Sequence, residues 1–212
     1  MKNMMLLLGL IALSSPVFAD EKLDSEIAQI QHDWAKINYQ TPKEAQENAF
    51  KALTEQAHQI TSSSGNAPEA LIWEAISFSG YAKAKGGLGA LKLAEKSRDL
   101  LLAAEKLNPN ALQGSAYTSL GSLYYKVPGW PIGFGDKKKA RSYLEKALQV
   151  NPVGMDPNYF YADFLSEQGE YAKAIEYYKK AIAAPARVGR EDADSGRKKE
   201  AAEGLKIAEE KV

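Results

Sequence analysis

The chain has 212 residues, 45% of them hydrophobic and 25% charged, which is enough apolar material for the core of one ordinary domain. Its 27 Lys and Arg balance its 27 Asp and Glu, so there is no overall positive field of the kind that neutralises nucleic-acid phosphates, and nucleic acid is not expected as a partner. It has no cysteine, which excludes disulfides, thiolate metal sites and a nucleophilic thiol.

Residues 1–19 have the pattern of an export signal. Lys2 supplies a positive start, Met4 to Leu13 an apolar stretch, and Val17-Phe18-Ala19 puts small or tolerated residues at the −3 and −1 positions of a cleavage site. The stretch is short for a membrane span, and no cysteine follows it to carry a lipid. The expected product is cleaved after Ala19, not lipidated, periplasmic in a Gram-negative cell and without a later membrane span.

Beyond Ala19 the pattern is helical throughout. Ile27, Ile30, Trp34 and Ile37 recur at three- and four-residue steps on a helix beginning near Asp24. Thr41-Pro42-Lys43-Glu44 reads as a capping box with proline at the first helical position. The helix it opens carries Ala45, Ala49, Leu53, Ala57 and Ile60 on one face, and residues 62–66 form a loop. Pro68 opens a third helix. Gly86-Gly87 precedes a fourth, over Leu88 to Leu107. No stretch alternates with strand composition.

Asn108-Pro109, Asn151-Pro152 and Pro185 each close a helix rich in Ala, Leu, Lys and Glu. Aligned on those stops, a bulky residue precedes a small one by three: Leu101 and Ala104, Leu144 and Ala147, Tyr178 and Ala181. Matching first helices carry Leu120-Gly121 and Tyr124, then Tyr161-Ala162 and Leu165, with Gly169 at the turn. Over Ala111 to Ala186 this resembles the tetratricopeptide repeat, which pairs two antiparallel helices in about 34 residues and puts small residues where they cross.

The resemblance implies an all-α, stacked helix-turn-helix solenoid with a C-terminal capping helix. The expected organisation is a signal over 1–19, N-terminal helices forming a degenerate repeat over 20–69, repeats over 70–186, and a polar loop with the capping helix over 187–212. Asp194 or Ser195 is expected to cap that last helix. Its Ala201, Leu205 and Ala208 lie on one side.

For function, the resemblance implies a scaffold that binds a protein or peptide segment in a concave groove. The family positions that line the groove fall on Ser115, Thr118, Ser122, Tyr125 and Lys126, then Asp156, Tyr159, Asp163, Ser166 and Glu167. Tyrosines among short polar side chains suit peptide recognition. Family members that clamp a terminal carboxylate use several Lys, Arg and Asn at these places. Here only Lys126 and three acids stand there, so that mode is not expected at these positions. The insertion Pro128-Gly129-Trp130-Pro131-Ile132-Gly133-Phe134 cannot be a regular helix, yet it carries Trp130, Ile132 and Phe134. Those side chains either fold onto the repeats or meet a partner.

A second reading is a small-ligand or transport accessory, since the chain is similar in plan to the T-component of TRAP transporters, although it lacks that component's lipidated cysteine. A deep enclosed pocket favours this reading, and an open groove the first. His32 and His58 lack a third metal ligand among His and Cys. Gly86 to Gly89 lacks the Lys-Ser/Thr of a phosphate loop, and neither histidine sits in a nucleophile motif. No enzyme activity, cofactor or metal is expected.

Overall fold

The computed structural model describes residues 16–212, and the targeting signal read over 1–19 falls largely outside them. The described residues form α1 (Pro16–Gln40), α2 (Lys43–Ser63), α3 (Pro68–Lys85), α4 (Gly87–Leu107), a 3-10 turn (Ala111–Gln113), α5 (Ser115–Lys126), α6 (Lys137–Val150), α7 (Met155–Glu167), α8 (Tyr171–Ala183) and α9 (Glu191–Glu209). Among them there is no strand beyond one isolated bridge, Gly129 to Gly135, and no helix is long and apolar enough to cross a membrane.

Consecutive helices pack as hairpins, and each hairpin packs on the next, so the chain is a stacked helical-hairpin solenoid. The small residues set how closely the helices cross. Ala140, Ala147, Ala162, Ala174 and Ala181 are fully buried. At Gly121 of α5 an added Cβ would lie 2.6 Å from Leu144 Cγ and 3.2 Å from the Leu144 backbone nitrogen, so any side chain there would force α5 and α6 apart. Gly80 of α3 similarly leaves room for Phe50 of α2, whose ring would lie 2.4 Å from an added Cβ. Helix α3 is buried nearly all round and joins a core built on α1 and α2 to the main core of the later repeats.

Three local readings change. The Thr41 capping box does not form: Thr41 Oγ1 donates to Lys36 O at the end of α1, and Gln46 Nε2 donates to Ile37 O and Thr41 O, so α2 starts at Lys43 without a side-chain cap. The loop expected over 62–66 is shorter, because α2 continues through Ser63. Neither Asp194 nor Ser195 caps the last helix, which begins earlier, at Glu191. Arg187 claims Asp194, whose oxygens accept its backbone N–H at 2.8 Å and its Nε at 2.7 Å.

The largest departure concerns α9. A cap on a linear stack would touch only the last hairpin, α7 and α8, yet α9 also packs on α1. Gly196 lies against the Tyr39 ring, where a Cβ would be 2.4 Å away. Tyr39 Oη donates to Glu200 at 3.1 Å, and His32 Nδ1 stands 2.6 Å from Asp192. The last helix thus returns to the first, and the groove between them becomes a partly enclosed space.

Candidate functional site: the central cavity

This partly open cavity has a volume of about 1100 Å³, just above the usual range for ligand sites. Its wall comes from α1, α3, α4, α5, α7 and α9, with the turns at 112–113, 127–132 and 185–190 between them. The turn before α5 is held in an unusual backbone: Leu112, Gln113 and Gly114 all have positive φ, at 47°, 57° and 75°. For Leu112 that conformation is strained, and it puts the Leu112 side chain both on the core and on the cavity wall.

Eight of the thirteen residues named from the sequence line this cavity: Ser115, Thr118, Ser122, Lys126, Ile132, Asp156, Tyr159 and Asp163. Several are occupied by each other. Tyr125 is buried and donates its hydroxyl to Asp163 at 2.7 Å. Lys126 bridges Asp163 at 2.8 Å and also pairs with Glu167. Burial, followed by Asp163, pushes the Tyr125 phenol well above its usual range. Thr118 is buried under the wall. This network joins α5 to α7 and leaves Ser122 and part of Tyr159 facing the space.

The inserted loop divides by side chain. Its base is fixed: Gly135 N–H donates to Pro128 O at 2.9 Å, Asp136 N–H to Tyr124 O at 2.8 Å, and Asp136 caps α6 by accepting from the N–H groups of Lys138 and Lys139. Gly133 and Gly135 are required there, since a Cβ would come within 2.7 Å of Pro128 O and 2.0 Å of Val127 O respectively. Phe134 packs edge-on against Tyr124, with the Arg98 guanidinium 4.5 Å from its ring. The tip projects outward: Trp130 is 90% exposed and Ile132 68%, with Ile132 also on the cavity rim.

The sequence reading placed Asp156 on the groove but missed Arg187 and Arg197, which pair with it. Asp156 accepts from Arg197 Nε at 2.9 Å and from Arg187 Nη1 at 2.6 Å, and Arg197 also donates to Glu200 at 2.6 Å. Burial works to raise the Asp156 pKa, but Arg197 and Arg187 outweigh it and hold it at about 2. The Arg197 guanidinium lies 4.4 Å from the Tyr159 ring centre and 4.7 Å from that of Phe160. A signal was present: Asp194 and Arg197 share the helical stripe of Ala201 and Ala208, and a buried stripe interrupted by charges marks a paired network. The histidines stay apart, His58 pairing with the buried Glu74 at 2.9 Å. No metal-holding group of three such side chains occurs among the described residues.

With the hairpins, their small crossing residues and the groove described, comparison with known proteins agrees with the geometry. The family model described as tetratricopeptide repeat matches residues 132–153 and 156–186, which cover α6, α7 and α8. Residues 132–186 carry the tetratricopeptide-repeat pattern. Such repeats generally serve as non-enzymatic protein–protein interaction scaffolds, and the fold suggests that class here. No curated protein matches the chain in sequence. A thermophilic TPR protein of Thermus thermophilus superposes with a TM-score of 0.53 at 21% identity, over 78% of this chain and 84% of that one, and shares the fold. MamA matches at 0.45 and 21% identity, over 80% of this chain and 92% of its own. Pseudomonas aeruginosa pilF matches at 0.36 and 18%, over 90% and 91%.

Proposed function

We propose that this repeat protein is an exported, periplasmic binding module. It takes a segment of a partner protein against the Trp130–Ile132 tip and into the central cavity. The observation that carries the reading is the exposed Trp130 and Ile132 beside the cavity mouth. A large aromatic and a branched aliphatic side chain held outward on a fixed loop base are costly in water and suit a binding hot spot. Export rests on the pattern of residues 1–19.

Replacing Trp130 by p-benzoylphenylalanine in exporting cells tests this. Light-dependent adducts of discrete mass are expected in the periplasmic fraction, and Ile132→Ser should abolish them. Adducts indifferent to Ile132, or protein held in the cytoplasm, would refute the reading.

The enclosure of the groove by α9 and α1 favours a second reading, a small-ligand or transport accessory. Native mass spectrometry of protein taken from the exporting cell separates the two. A retained small molecule supports the second reading, and an empty chain that captures a protein partner supports the first.

A further inference from the structure

The helix that follows the Trp130 loop breaks the charge pattern of its neighbours. Helix α9 opens on Glu191, Asp192 and Asp194, while α3, α4 and α8 carry lysines in their last turns. Both arrangements suit the helix dipole, which is positive at the N-terminus. Helix α6 does the opposite, since Lys137, Lys138 and Lys139 fill its first turn with no acid among them. Arg141 is paired with Glu170, but these three lysines are exposed and have no carboxylate within pairing distance among the described residues. Asp136, the one acid between Gly129 and Arg141, is used as the N-cap. A local rule broken without an internal gain points to a use outside the chain.

The same lysines stand beside the apolar tip. The bridge between Gly129 and Gly135 closes the loop at its base, so the Cα atoms of Trp130 and Lys137 lie within about 16 Å of each other. Lys139 Nζ lies 5.4 Å from the Tyr124 ring centre, and Tyr124 packs on Phe134 with ring centres 5.7 Å apart. The Arg98 guanidinium, paired with Asp99, lies 4.5 Å from the Phe134 ring. Cations therefore stand around the base of the loop, and Trp130 and Ile132 project from it into water.

We propose that the partner face meeting this tip is acidic around an apolar centre. The inference rests on the reading of the Trp130 tip as a binding site and adds the chemistry of what binds there. Trp130 and Ile132 supply the desolvated anchor, and the lysines at its edge select for charge and speed encounter. The fixed loop base leaves little conformational freedom to lose on binding. An anionic bilayer offers the same sign of charge. Lipid-recognising basic clusters hold about four to eight cations, however, and three lysines beside two apolar side chains fall short of that. A protein face with Asp or Glu around an apolar pocket fits the tip better.

The first test uses the photo-crosslinking probe at position 130 in exporting cells. Lys137→Gln, Lys138→Gln and Lys139→Gln together should lower the adduct yield about threefold or more, and the matching triple arginine variant should restore it. All three side chains are exposed, so both variants keep the packing of the parent. The second test uses fluorescein-labelled peptides blocked at both ends, each with a Leu-Phe-Leu core flanked by Glu-Glu, Gln-Gln or Lys-Lys. At low salt the Glu-flanked peptide should bind about tenfold tighter than the Gln-flanked one, the sum of several weak exposed pairs. That preference should shrink as salt is raised and vanish in the triple glutamine variant. Trp130→Ser should weaken both peptides alike.

Equal binding of the Glu- and Gln-flanked peptides, a preference for the Lys-flanked one, or no binding of any peptide would overturn the proposal. Co-sedimentation with phosphatidylglycerol vesicles in place of peptide binding, lost in the triple glutamine variant, assigns the surface to a bilayer and overturns it too. Adducts that persist unchanged in the glutamine variant remove this inference and leave the partner-binding reading standing. Absence of adducts from the parent protein removes both.

Discussion

Asp156→Asn tests how the cavity is closed. In the folded protein the two carboxylate oxygens of Asp156 take one N–H each from Arg197 and Arg187, and Arg197 is only 8% exposed. Asparagine keeps the size and one acceptor but removes the charge, leaving both arginines short of a counter-ion. Depression of the Asp156 pKa to about 2 from 3.8 corresponds to about 2 kcal/mol of charge-dependent stability. Removing one partner of a buried pair outright costs about 3–5 kcal/mol. The expected loss is therefore about 2–4 kcal/mol, measured by urea unfolding at neutral pH. Helices of a repeat array detach locally, so hydrogen exchange should speed up first in α9 and the adjoining part of α1. The control is the exposed Asp24→Asn, which should change neither. A loss below about 1 kcal/mol with α9 protection unchanged would refute the reasoning, and the closure would then have to rest on apolar contacts.

The same carboxylate predicts a pH response. Its folded-state pKa is depressed, so its contribution is complete above the unfolded value and disappears as pH falls from about 4 to about 2. Thermal unfolding across that range should flatten in Asp156→Asn, and an unchanged slope would count against the assignment. Gly121→Val drives a side chain into Leu144 and should destabilise by about 1–3 kcal/mol in denaturant melts; a neutral result would mean α5 and α6 can separate freely. Trp130→Ser should leave stability within about 0.5 kcal/mol, since the side chain is 90% exposed, while reducing partner adducts formed from a probe at Ile132. A large stability loss would instead make Trp130 a packing residue.

Much of the fold was legible because repeat packing is local. Leu144 and Ala147, or Tyr178 and Ala181, meet neighbours from the adjacent helix, so spacing alone announces them. The Trp130 loop was equally visible as prolines and glycines interrupting a helical pattern. The sequence could not show which of its apolar side chains folds inward: Phe134 finds Tyr124, while Trp130 and Ile132 stay in water. The Thr41 box failed for a related reason, since a short polar side chain serves whichever backbone group lies nearer.

The sequence by itself determined the all-helical repeat, its small crossing residues and the position of the insertion, because each depends on residues close in the chain. Only the tertiary structure decided that the groove is partly closed over by α9. That closure depends on Tyr39 meeting Gly196 and Glu200, and on Asp156 holding Arg187 and Arg197. These pairs stand far apart in sequence, on helices whose own periodicity says nothing of one another. Tyr125, Lys126, Asp163 and Glu167 were read as a face open to a partner and are tied to each other. Arg190, which no motif marked, reaches the cavity wall because the return of α9 to α1 puts it there.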